Sequence, residues 1–180
     1  MIGTRLVLVL IVLNALCSCG GGSDAALEVS GPASQPGSVI VALATAVTGT
    51  LPPSTTINSY VAMIVLPEGV TVRTDPTSSA TAAGVVVAAG KALGALVNGV
   101  YTPPSGSEPG MVKIYVVSAT GFEAGEFCTV YADISPGYHP SAADIGPPIL
   151  EESTGFDDDT NSTVTGLEKE LSIAASIVIR

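Results

Sequence analysis

GMVKIYVVSATGFEAGEFCTVYADI, residues Gly110–Ile134, decides the fold class. Val112, Ile114 and Val116 alternate with Lys113, Tyr115 and Val117, and Cys128, Val130, Ala132 and Ile134 alternate with Thr129, Tyr131 and Asp133. A period of two sends every second side chain to one face, so both runs read as strands with an apolar face. Gly121 and Gly125 in the intervening TGFEAGE supply turn conformations that residues with a Cβ adopt poorly, and the stretch reads as a β-hairpin. Two strands alone are marginal in water, so the apolar face requires a second layer.

Working outward, the same grammar recurs. Ser38–Val47 is a β-capable run ended by the paired prolines of TGTLPPSTT. Ile57–Leu66, INSYVAMIVL, is apolar on both faces, which predicts a strand buried between two layers. Pro67-Glu68-Gly69 turns it into VTVR, and Ala82–Ala89 forms a Val-centred strand. Lys91–Val97 reads as a short strand or irregular segment, and a short edge strand is expected at Leu27–Ser30. Beyond the Gly110–Ile134 stretch, SPGYHPSAADIGPP is a loop and Ile149–Glu151 starts another strand. In the closing run Leu171–Ile179, Ile173, Ile177 and Ile179 share one face. Eight or nine short strands with frequent turn signals predict an all-β, antiparallel β-sandwich.

Composition agrees with this reading and narrows the function. Of the 180 residues 47% are apolar and 12% charged, which excludes a disordered chain and suits one domain. The net charge of −10 leaves no basic patch for phosphates, so nucleic acid is excluded as a partner.

The N-terminus reads as an address. Arg5 precedes LVLVLIVLNAL, an apolar run of signal-peptide length and too short for a stable membrane span. Leu16-Cys17-Ser18-Cys19 resembles the bacterial lipobox, which makes residues 1–18 a lipoprotein signal peptide and Cys19 the lipidated residue. Cys17 fits less well because bulky Leu16 precedes it. Residues 19–26 then form the acylated cysteine and a Gly-rich tether, and the domain occupies 27–180. Acyl chains on Cys19 would hold the protein to a lipid bilayer of the cell envelope. Gly20 carries no inner-membrane retention signal, so the expected site is the outer membrane, facing periplasm or cell surface.

Chemistry-bearing residues are few. Cys128, left without a partner once Cys17 departs and Cys19 is acylated, reads as a small core residue, and the single histidine, His139, as a surface residue. Asp157, Asp159 and Asn161 have the D-x-D-x-N spacing that opens a calcium loop, with Glu168 at the twelfth position for a bidentate carboxylate. Ser162 occupies the position where such loops need glycine, so a solvated acidic loop is the simpler reading and calcium the only cofactor considered. No GxSxG elbow, HExxH or Gly-rich phosphate loop is present, and an enzyme is not expected.

INSYVAMIVLPEGVTV, then GMVKIYVVSATGF, then GEFCTVYADISPG resembles the cohesin domain in strand order and short segments across about 27–180. That resemblance implies a nine-stranded jelly roll related to carbohydrate-binding modules, in a family whose best-known members bind calcium-containing dockerin modules. Where cohesins usually carry Tyr-Asp-Pro, this chain has Val65-Leu66-Pro67-Glu68-Gly69, so the fold is implied more directly than the partner. Two functions stand open at this point. One is a protein-recruiting module with a dockerin-like or other partner. The other is a carbohydrate-binding module stacking a polysaccharide on Tyr60, Tyr101, Tyr115 or Tyr138, beside a plain structural envelope lipoprotein.

Overall fold

The computed structural model describes residues 37–180. The signal peptide, Cys19, the tether and the Leu27–Ser30 strand lie outside the described residues. Ten strands form two antiparallel sheets facing each other across one core: β1 (Ser38–Val47), β2 (Thr55–Leu66), β3 (Val70–Thr71), β4 (Val86–Ala88), β5 (Leu96–Thr102), β6 (Gly110–Phe122), β7 (Glu126–Ile134), β8 (Ile149–Asp157), β9 (Ser162–Thr165) and β10 (Leu171–Ile179). One sheet runs β10-β1-β7-β3, with β4 also on β7; the other runs β5-β6-β2-β8-β9. The β-sandwich is as expected, with ten strands where eight or nine were anticipated.

The hairpin reading of Gly110–Ile134 is corrected. Both strands exist, but β6 pairs with β2 and β5, and β7 with β1, β3 and β4. Phe122 and Phe127, at either end of the Glu123-Ala124-Gly125 link, both turn in onto Tyr60, with ring centroids 5.1 and 4.8 Å from it. Folding the chain around this aromatic cluster places the two strands in facing sheets, where each buries its apolar face and neither leaves an edge free. Just before this link, β6 is irregular between its Ser59↔Val117 and Ile57↔Phe122 pairs, and Gly121 serves that irregularity: its φ is 73°, and a Cβ there would meet the Thr56 side chain at 2.9 Å.

A second departure explains how Phe127 reaches the core. Leu43 opposes Cys128 but Ala44 opposes Glu126, so Phe127 is an extra residue in β7 and forms a β-bulge. The bulge breaks the alternation and buries Phe127 and Cys128 together.

Ile57–Leu66 is central in its sheet, as anticipated, but not covered on both sides. Tyr60, Ala62, Ile64 and Leu66 are buried in the sandwich, whereas Val61, Met63 and Val65 on the other face are only half-buried. Two shorter elements also differ: Ala82–Ala89 yields only β4, and Lys91–Val97 splits into a 3-10 turn at Gly90–Ala92 and the start of β5. The acidic segment is likewise more ordered than a loop. β8 continues through Asp157, a four-residue turn follows, and β9 pairs back from Asp157↔Ser162 to Thr154↔Thr165.

Candidate functional site

The sequence-predicted groups are not brought together. Asp157 caps its own turn, accepting from the backbone N–H of Asp159 at 2.9 Å and Thr160 at 3.3 Å and from the Thr160 hydroxyl at 2.8 Å. The Thr160 hydroxyl, helped by those N–H groups, holds the Asp157 carboxyl below its usual range. Asp159 accepts from the Ser54 hydroxyl at 2.8 Å. Asn161 takes the left-handed conformation the turn needs, with φ 50°. Glu168 points elsewhere, to the Ser153 N–H on β8 at 3.2 Å. Among the described residues no three acidic, histidine or cysteine side chains converge on a metal position. Asp157 serves the hairpin itself, and Asp159 ties its turn to Ser54 just before β2.

Cys128 is fully buried, and desolvation with the nearby Glu126 charge pushes its thiol up to about 12. It should therefore resist thiol reagents in the folded protein and react once the chain is denatured; rapid labelling under native conditions would show that the strand opens locally. His139 is exposed in the loop after β7.

The tyrosines do not form a row. Tyr60 and Tyr101 are buried, which removes both from any sugar-stacking role. Tyr115 lies on the outer face of the β5-β6-β2-β8-β9 sheet and Tyr131 on the outer face of the other. Tyr138 packs its ring over Gly69, whose φ of 76° brings the backbone under it, and donates to Glu68 at 3.1 Å.

What the fold does assemble is an apolar outer face on the β5-β6-β2-β8-β9 sheet. Antiparallel register aligns Leu96, Val117 and Ser59 in one row, Asn98, Tyr115 and Val61 in the next, Val100, Lys113, Met63 and Ile149 in a third, and Thr102, Met111 and Val65 in the last. Leu96 is 79% exposed, Val117 52%, Ile149 45% and Tyr115 37%. Charge interrupts this face: Lys113, between Val100 and Met63, reaches across β2 to Glu151 on β8 at 2.6 Å, and Glu152 stands opposite Val61. Sequence reasoning overlooked Leu96, Val117 and Ile149. The signal for them was present: Tyr115-Val116-Val117 and the two-faced apolar run of β2 both place large residues on the side away from the core.

Comparison with protein-family models, with curated proteins and with solved structures finds no match for this chain. Among the described residues no helix is long and apolar enough to cross a membrane.

Proposed function

We propose that this chain is a non-catalytic, membrane-anchored binding module that recruits a protein partner through the outer face of the β5-β6-β2-β8-β9 sheet. The observation that carries this reading is β2: a central strand apolar on both faces, packed on one side only, with exposed Leu96, Val117 and Ile149 extending the uncovered side. Large exposed apolar side chains on an uncovered sheet face, here divided by the Lys113–Glu151 pair, are characteristic of protein interfaces, where a few such side chains supply most of the affinity. The resemblance of the sequence to cohesin domains supports the same class of function. A burial-inert Cys128 and an acidic turn engaged in its own hydrogen bonds support the absence of catalysis. Scattered tyrosines give the carbohydrate reading no comparable support.

The test is binding by the domain before and after Leu96→Asp with Val117→Asp. Both side chains point to solvent, so the melting temperature should stay within a few degrees while capture of the partner falls by about thirtyfold or more, as expected of hot-spot positions. Undiminished capture would refute this face as the interface.

The anchor belongs to the same proposal and rests on the lipobox-like Leu16–Cys19. Cys19→Ala should leave the protein as an unprocessed precursor or release it from membranes, whereas Cys17→Ala should be processed normally. Equal fatty-acid labelling of both variants would overturn the assignment to Cys19 at the outer membrane.

A further inference from the structure

β10 ends its sheet with an edge whose backbone groups pair with no described residue. Within the sheet it pairs only with β1, along its whole length, from Val39↔Ile179 to Val47↔Leu171. Ser38 and Arg180 exchange both backbone hydrogen bonds at 2.9 Å. By the two-residue alternation of antiparallel ladders, Val178, Ser176, Ala174 and Ser172 likewise direct their N–H and C=O groups to β1. Leu171, Ile173, Ala175, Ile177 and Ile179 therefore direct theirs to the free edge.

Natural edges are usually protected by Lys, Pro, bulges or brevity. This one has none of those: nine residues, LSIAASIVI, in unbroken register with β1 and without a charge, in a chain of net charge −10. Ile173, Ile177 and Ile179 point inward and pack against the core, yet remain only half-buried.

We infer that β10 is a homodimerisation edge, pairing antiparallel with β10 of a second copy about a two-fold axis at Ala175. The register is self-complementary. Ala175 faces Ala175, Ile173 faces Ile177 and Leu171 faces Ile179, all of them residues whose backbone groups point outward, and these pairs extend the apolar inner row from one sandwich into the next. On the outer side Ser176 comes level with Ala174 and Val178 with Ser172, small enough to keep the joined sheet flat. At each end Arg180 of one copy comes near Glu170 of the other, which sits in the turn before β10 with its carboxylate accepting from the Thr50 N–H at 2.7 Å, so opposite charges come together where two acidic proteins would otherwise repel. Shifting the register by two residues loses this end match and offsets the isoleucines. Leu27–Ser30, which the sequence reads as a short edge strand, is four residues long against nine in β10.

The experiment is mass determination by light scattering on the full chain in detergent at micromolar concentration, with oxidative crosslinking of single-cysteine variants. The expected result is a two-copy mass, a crosslinked dimer from Ala175→Cys, and far less from Ala174→Cys, whose counterpart in this register is Ser176. Ala175→Pro removes an N–H that serves no bond within the chain and is tolerated on an edge, so it should give a folded, single-copy protein. Arg180→Glu, which leaves the strand intact, should raise the dimer Kd by up to about tenfold at low salt, since it removes two exposed pairs. A single-copy mass for the full chain would overturn the proposal, including one that doubles only when residues 20–36 are deleted, because the edge would then belong to the chain's own N-terminal segment. A two-copy mass untouched by both Ala175→Pro and Arg180→Glu would overturn it equally.

Discussion

Phe127→Ala should lower the unfolding free energy by about 3–5 kcal/mol, the cost of truncating a fully buried aromatic whose cavity cannot collapse. The ring lies between the sheets, 4.8 Å from Tyr60, which in turn contacts Phe122. It is delivered there by a bulge, so the neighbouring backbone is already bent and has little freedom to close the gap. Tyr131→Ala, a similar truncation on the outer face of the same strand, should cost far less because that ring is partly in water. Denaturant unfolding monitored at several concentrations measures both. Equal costs, or a loss of under about 1 kcal/mol for Phe127→Ala, would contradict the place given to this ring in the core.

The second large effect lies in the buried hydrogen bond between Thr45 Oγ1 and Tyr60 Oη, 2.8 Å long and shut away from solvent. Thr45→Val strands the phenol hydroxyl without a partner and should cost about 1–3 kcal/mol. Tyr60→Phe should cost less, because Thr45 keeps long contacts with the Gly125 backbone N–H at 3.4 Å and C=O at 3.5 Å. The double variant should lose clearly less than the sum, since neither polar group is then left unpaired. Strict additivity in that cycle would show that the two groups do not depend on each other.

The same burial fixes how stability responds to base. Burial raises the Tyr60 ionisation above its ordinary value of 10.0, the bond to Thr45 opposing it only in part, and raises Cys128 from 9.0 to about 12. The unfolded chain releases these protons first, so the folded state binds more protons at alkaline pH and stability falls as pH rises. For Cys128 the contribution is complete below about pH 9 and is lost between there and about 12.

Strand positions were legible because alternation is a local signal. Ser38–Val47, Ile57–Leu66, the two runs of Gly110–Ile134 and Leu171–Ile179 all carry it, and Cys128 could be placed in the core from its neighbours at spacing two. Charged Glu151 and Glu152 concealed the length of β8. They stand on its solvent side, where charge is compatible with a strand, and the segment continues into a hairpin with β9. Tyr60 and Tyr101 looked like surface chemistry because tyrosine suits both environments, and only the packing of the second sheet decides between them.

By itself, then, the sequence determined where the long alternating strands lie and which of their faces are apolar, since a period of two depends only on backbone geometry. It could not determine strand partners: a run such as Glu126–Ile134 makes the same inward row whether it pairs with Gly110–Phe122 or faces it across the core. Tertiary structure decided that through the aromatic cluster at Tyr60, which bends the chain between sheets, and through the bulge that adds Phe127 to it. It also decided that β2 has one covered face and that β10 ends a sheet. Both follow from how many layers and neighbours the whole chain supplies, a quantity no local stretch contains.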